Sequence, residues 1–518
     1  MEDQHYYLYY LGLALVSLLV VLATRRRSAI SHGQLRLPPG PWQLPVIGTL
    51  HHTFGKLPHH AMRDLARRYG PVMLLRNGEV AAVVVSSREA AREVMKTQDT
   101  AFATRQLSAT LTLLTSGGRN IIFAPYGDHW RRLRKIATTK LLSARRVLSF
   151  RAVREEEVAA MLRACASADA SRKEGSRSVV EMREVLSALV ADTTMRAAMG
   201  DRCKDRHAFM RELDTLIELS AGFNPADLWP SSRVASRLSS AMRRAGECRE
   251  VLWRLLDGII NEHLERMMGS GDGSGEEVED LLQVLLKILK DGGEDMPLDM
   301  DVIKLVIFDI FAGSETTAPT LEWAMAELVG NPRVLKRATE EVRRAFGADG
   351  CVREHKLAGT ELPYLQLVIR ETFRLHAPIP FLIPRASREA CRVLGYDVPR
   401  GITVLVNAWA IGRDEACWPG DPEEFRPERF EQDGAAADVD FRGTDFELVP
   451  FGAGRRMCPG MSFALANIEL AVASLLFHFD WEAVSDLADR TEEFGLVARR
   501  KSNLLLRPIL RVPVPAQG

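Results

Sequence analysis

The chain has 518 residues, 46% of them hydrophobic and 26% charged, and its 68 basic and 68 acidic side chains leave a formal net charge of zero. That balance gives no electrostatic footprint for nucleic acid, so no nucleic-acid partner is expected. The 7 cysteines are scattered and form no Cys-x-x-Cys pair, which argues against a zinc site and a disulfide framework and places the globular body in a reducing compartment.

Tyr6 to Thr24 is an uncharged apolar run of 19 residues, followed by Arg25-Arg26-Arg27. As a helix it is roughly 28 Å long, close to the ~30 Å hydrocarbon layer. Its charges follow the apolar run rather than precede it, which favours a retained anchor over a cleaved signal peptide. The arginines belong on the cytoplasmic side and Met1-Glu2-Asp3 in the lumen. Residues 1–27 are therefore read as a transmembrane anchor with a basic stop. Residues 28–48 form a proline-rich hinge that includes Leu37-Pro-Pro-Gly-Pro-Trp-Gln-Leu-Pro-Val-Ile-Gly48. Its prolines forbid helix and stiffen the connection, whether as a plain linker, an orienting hinge or both.

Residues 49–518 read as one globular domain, mainly α with small β-sheets. Val72 to Leu75 and Val80 to Val85 flank Asn77-Gly78, a hairpin signal. Ser86 with Glu89 reads as a capping box that opens a short helix ending about Thr97. Amphipathic helices are expected near 130–148, 151–166, 182–198, 206–220, 236–268, 278–290 and 298–329, with short strands near 393–406 and in the tail. The flexible loop Gly269 to Gly275 does not separate domains, because helices of one character lie on both sides.

Four helical or loop motifs carry chemistry. Trp130 and Arg134 are four apart and share a helix face, beside the outward charges Arg131, Arg132, Lys135 and Lys140. Helix 298–329 holds Ala312-Gly-Ser-Glu-Thr-Thr317 in an apolar stretch, where an acid beside a hydroxyl is costly unless bonded. An acid–alcohol pair can also deliver protons in order. Pro319 lies inside this helix and withholds the N–H that would bond the Glu315 carbonyl, so distortion is expected there. Glu371 and Arg374 face one way on a helix from Tyr364 to before Pro378, and Pro427-Glu-Arg-Phe430 follows. Finally, Cys458 sits in Phe451-Gly-Ala-Gly-Arg-Arg-Met-Cys-Pro-Gly460, at the entrance of an apolar helix. The glycines allow close backbone approach to a flat object, and the helix dipole favours a thiolate. Alone, such a cysteine could equally be a buried core residue.

Taken in this order, the five signatures from the proline hinge to Glu492-Glu-Phe-Gly-Leu-Val-Ala-Arg-Arg-Lys501 resemble the cytochrome P450 family of heme-thiolate monooxygenases. The hinge, Phe123-Ala-Pro-Tyr-Gly and the Ala-Gly-Ser-Glu-Thr-Thr form are similar to plant A-type microsomal members of the seventy-one clan. The resemblance implies the cytochrome P450 fold on an N-terminal anchor, with heme b held by Cys458 as the axial iron ligand. Trp130, Arg134, Arg385 and Arg456 would bind the heme propionates. Glu371, Arg374 and Arg429 would form a structural triad that locks the cysteine loop. Thr316 and Glu315 would handle the protons delivered during oxygen activation. Electrons would come from NADPH through NADPH-cytochrome P450 reductase, with cytochrome b5 as an alternative donor, at the endoplasmic reticulum membrane with the body in the cytoplasm.

The same resemblance assigns pocket walls to the loop 102–124, to Phe308 and Ala312, to the segment carrying Ile379, Phe381 and Leu382, and to Leu496 and Val497. These are mostly apolar and suit a lipophilic substrate, a terpenoid before an indole or phenolic. Two rivals are an isomerase or dehydratase that uses no external oxygen, and a non-catalytic heme or lipophile binder. The intact acid–alcohol pair and Cys458 argue against both.

Overall fold

A long apolar run cannot sit at a protein surface, and the two most apolar stretches of the body become its central helices. The computed structural model describes residues 35–170, 179–201, 206–269, 279–292, 298–357, 362–493 and 495–515, with Gly12, Leu15 and Val16. The anchor, its arginines, the start of the hinge and most of the loop 269–275 lie outside the described residues. The hinge from residue 35 on is extended or turned and contains no α-helix.

The longer helices are α1 (Pro58–Tyr69), α2 (Asp128–Ile136), α3 (Arg151–Ala170), α4 (Met182–Met199), α5 (Arg206–Leu219), α6 (Ser240–Gly269) and α7 (Leu281–Lys290). They continue with α8 (Met300–Ser314), α9 (Thr317–Gly330), α10 (Pro332–Phe346), α11 (Pro363–Leu375) and α12 (Met461–His478). The strands are β1 (Val72–Asn77), β2 (Val80–Val85), β3 (Val180–Glu181), β4 (Arg385–Ala386), β5 (Cys391–Val393), β6 (Tyr396–Val398), β7 (Thr403–Val406), β8 (Phe479–Ala483) and β9 (Leu505–Leu510). One sheet has the order β1-β2-β7-β4, a second β3-β9-β8, and β5-β6 is a lone hairpin. The first hairpin closes as the Asn-Gly signal requires, with Asn77 paired to Val80.

Apolar faces gather into a large cluster around α9, α11 and α12 and a second around α5, α6, α7 and α8. A third packs β2 and β7 against the segment before the cysteine loop. Within the described residues, α12 is long and apolar enough to cross a bilayer, but it is mostly buried and is a core helix.

Two local expectations are corrected. The cap after the hairpin is Ser87, whose Oγ accepts from the Ala90 N–H, and not Ser86, whose hydroxyl finds no partner among the described residues. A one-residue shift puts the preferred cap oxygen over the first free N–H groups. The stretch 298–329 is also not one helix. It breaks at Glu315 and Thr316, between α8 and α9. Pro319 therefore falls in the first turn of α9, where a missing N–H costs little, instead of inside a continuous helix. Thr320 N–H still reaches the Thr316 carbonyl, at 3.4 Å.

Candidate functional site

The cysteine loop is shaped by its neighbours. Gly454 has φ +67°, and a side chain there would meet the Met95 carbonyl oxygen at 2.2 Å, so glycine is required for the loop to lie against that segment. Cys458 N–H donates to the Phe451 carbonyl at 2.9 Å, and Phe451 packs edge-on against Phe373 of α11. The Cys458 side chain is exposed although protein surrounds it, so its open face looks into an interior space. Burial pushes its thiol up, while the N–H groups of Gly460 and Met461 and the Arg134 guanidinium pull it down. A neutral thiol is the resting result, and a bound metal ion is what makes such a sulfur a thiolate ligand.

Gly313 gives the matching observation on α8. It is exposed on a core helix, and a Cβ there would meet nothing within 4 Å. Phe463, one turn into α12, packs on the same apolar cluster as Phe308, Ala312, Leu496 and Val497. The helix that follows the cysteine and the helix with the acid–alcohol pair therefore border one interior region.

Arginines crowd one side of it. Arg385 donates to Asp99 at 3.1 Å and to the Ala453 carbonyl at 2.7 Å. Arg456 donates to the Ala103 carbonyl at 2.6 Å and lies over the Trp130 ring at 4.3 Å. Arg105 donates to the carbonyls of Ile122 (3.2 Å) and Pro384 (2.8 Å). Burial lowers all of them and Arg134, and mutual repulsion adds for Arg105 and for Arg456, which falls to about 9. Asp99 is the one carboxylate partner this group has among the described residues, and it also takes Arg455. Four buried or half-buried guanidiniums with one carboxylate need further anions. A flat dianionic porphyrin with its two carboxylates on the arginine side and iron at the sulfur fits this donor set.

The triad is complete. Glu371 accepts from Arg374 Nε at 2.7 Å, Arg374 Nη2 at 2.8 Å and Arg429 Nε at 2.9 Å, with all three side chains buried. Arg426 N–H adds a fourth bond at 2.8 Å. Trp130 is buried on the inner face of α2, whereas Arg131, Arg132, Lys135 and Lys140 are exposed.

Thr316 and Glu315 are adjacent but not bonded to each other. The Thr316 hydroxyl donates to the Gly313 carbonyl at 2.8 Å, and Glu315 accepts from Arg499 at 2.8 Å. Of the pocket candidates, Phe308, Ala312, Leu496 and Val497 share one cluster. Leu382 packs with the third cluster, near Gly452, and Ile379 is half-buried. Phe381 is set apart, against β1 and β2 residues and 6.2 Å from the His59 ring.

Sequence reasoning missed Arg105 and Asp309. Asp309, buried on α8, accepts from Asn120 Nδ2 and Ile121 N–H, each at 2.6 Å, and from Ile122 N–H at 3.2 Å, tying the loop 120–123 to the helix. Burial lifts its carboxyl to about 7. A lone acid in an apolar helix was the available signal. Arg105 had none, because its partners are backbone carbonyls, and that of Pro384 lies far away in the chain.

The family profile described as Cytochrome P450 matches residues 38–507. The chain is 44% identical to Zealexin A1 synthase of Zea mays over 96% of its own length and 97% of that protein. It is 45% identical to Desmethyl-deoxy-podophyllotoxin synthase of Sinopodophyllum hexandrum, covering 95% of each. It is 42% identical to Dolabradiene monooxygenase of Zea mays, over 98% and 99%. A zebra fish cytochrome P450 structure with progesterone superposes with a TM-score of 0.71 at 26% identity, over 87% of this chain and 99% of that one. With this coverage and the fold described above, the chain belongs to the cytochrome P450 family.

Proposed function

We propose that this chain is a heme-thiolate monooxygenase that oxidises a lipophilic plant specialised metabolite, with a terpenoid as the first candidate. The relatives named as a dolabradiene monooxygenase and a zealexin synthase support an oxidative role on such compounds. The observation that carries the reading is the pairing of an interior-facing Cys458 with an interior-facing Gly313, beside arginines short of anions. Heme, when bound, supplies the reduction of dioxygen and the transfer of one oxygen atom to substrate.

The chain's residues do the rest. Cys458 would hold heme iron through its sulfur, towards which the Gly460 and Met461 N–H groups are turned. Trp130, Arg105, Arg134, Arg385 and Arg456 would hold the propionates, and arginine's fork suits carboxylates. Gly313 leaves open space beside α8, where a bulkier side chain would intrude. Thr316 holds a proton at its hydroxyl and Glu315 supplies it. Phe308, Ala312, Leu496 and Val497 exclude water and hold an apolar substrate by burial. The Glu371–Arg374–Arg429 triad keeps the cysteine loop in place and does not touch substrate.

Residues 1–27 anchor the protein in the endoplasmic reticulum membrane, 28–48 orient it, and 49–518 form the catalytic domain in the cytoplasm. NADPH-cytochrome P450 reductase is the electron donor, with cytochrome b5 as a second. The exposed Arg131, Arg132, Lys135 and Lys140 offer a basic docking face for an acidic donor.

The test is turnover of a terpenoid, indole and phenolic library by membranes holding this chain and a plant reductase, under labelled dioxygen. A product that carries one labelled oxygen and requires NADPH is expected. Product formed without NADPH, or without the label, would replace the reading by an isomerase or dehydratase.

A further inference from the structure

Three side chains from distant parts of the chain meet beside Thr316. One nitrogen of Arg499, Nη2, donates at 2.8 Å to Asp214 and at 2.8 Å to Glu315. Asp214 comes from α5, Glu315 from the break between α8 and α9, and Arg499 from the turn that carries Leu496 and Val497. Their side chains are graded from solvent inwards: Asp214 is 42% exposed, Arg499 23% and Glu315 13%.

Two carboxylates held on one cation, with one of them buried, do not both ionise cheaply. Burial first, then the Asp214 charge, lifts Glu315 to about 8, against the pull of Arg499. With one proton on the pair, Asp214 and Arg499 cancel, and the buried site is neutral. Glu493 also faces the guanidinium, and its N–H donates to the Arg499 carbonyl at 2.8 Å.

Resting on the monooxygenase reading, we propose that Asp214 and Glu315 share one proton across Arg499, with Asp214 as the solvent-side inlet of this chain's proton supply and Arg499 as the positioning residue. In each cycle the Glu315 carboxyl gives its proton inwards to the Thr316 hydroxyl, once that hydroxyl leaves the Gly313 carbonyl it bonds at rest or a water bridges the two, and the hydroxyl passes its own onwards. Arg499 stabilises the carboxylate left behind. A proton from solvent enters on Asp214 and moves to Glu315, restoring the start, and nothing is oxidised or reduced in the relay. The relay is complete only while α5 and the 495–499 turn hold their places.

The test uses the full-length holoenzyme and its Asp214→Asn, Arg499→Lys and Glu315→Gln variants. The first readout is the thermal midpoint against pH with neither substrate nor reductase. A raised folded-state pKa gives stability that is present at low pH and lost as pH rises through about 8. That loss should vanish in Glu315→Gln and move to lower pH in Asp214→Asn. The second readout is NADPH oxidation with reductase and dioxygen alone, in light and heavy water. Asp214→Asn should slow it, raise the solvent isotope effect and shift its pH profile, with Arg499→Lys doing so less. Wild-type pH behaviour of Asp214→Asn in both readouts would overturn the proposal, as would wild-type behaviour of Arg499→Lys should Asp214→Asn fail to fold. If wild type shows no NADPH oxidation at all, the monooxygenase reading fails, and the thermal readout still decides whether the proton is shared.

Discussion

The protein holds two groups of buried charge, and they are built in opposite ways. In the Glu371–Arg374–Arg429 triad every charge is answered from within the protein. Arg374 alone makes two bonds to Glu371 and further bonds to the carbonyls of Gly412 (2.6 Å), Pro422 (2.7 Å) and Glu424 (3.0 Å). In the Arg105–Arg134–Arg385–Arg456 group, cations repel one another around a single carboxylate, Asp99. A closed charge group is scaffold, whereas an open one marks where a ligand must finish the electrostatics.

Breaking the closed group should have the largest effect. Glu371→Ala leaves two buried guanidiniums without a carboxylate and should cost about 3–5 kcal/mol. Added heme should not rescue it, and loss of soluble protein or a lowered thermal midpoint is the readout. The open group should respond unequally with and without heme. Arg456→Ala removes a repelling cation but also its bond to the Ala103 carbonyl and its packing on Trp130, so the heme-free protein should be destabilised less than the heme-bound form. Heme retention should fall, by about 1.5–3 kcal/mol for one charge-assisted bond. Heme titration and thermal melts of both forms measure this, and equal destabilisation with and without heme would erase the contrast between the two groups.

Asp309 offers a sharper, pH-dependent case. Its folded-state carboxyl is raised from 3.8 to about 7 by burial. Its contribution is therefore present below the unfolded value and is lost as pH rises through about 7. Thermal midpoints should fall over that window in wild type and less so in Asp309→Asn. The smallest effect belongs to Pro319→Ala. Because Pro319 lies in the first turn of α9, the change should alter stability by less than about 1 kcal/mol. Any change in coupling of NADPH use to product would then report on the bend at Glu315 and Thr316.

What the sequence carried was local. Spacing placed Glu371 and Arg374 on one face and Trp130 on the inner face of its helix, and Asn77-Gly78 fixed a hairpin register. The motif around Cys458 marked the loop by its residue pattern alone, since the contact that requires glycine at 454 is the carbonyl of Met95, far away in the chain. What stayed hidden depends on chain separation. Arg499 lies 285 residues from Asp214 and 184 from Glu315, and Arg105 lies 279 from Pro384. No periodicity relates such positions. The break at Glu315 and Thr316 was also illegible as a break, since the apolar pattern runs through it and only Pro319 signalled a disturbance.

The central claim is that Cys458 supplies a sulfur ligand to heme iron at the centre of this site. The measurement is the reduced carbon-monoxide difference spectrum of purified wild type and Cys458→Ala, each titrated with heme. Wild type should bind heme and show the absorbance band for which the family is named, and the variant should lose that band. A wild type that takes up no heme, or a variant that keeps the band, would contradict the account.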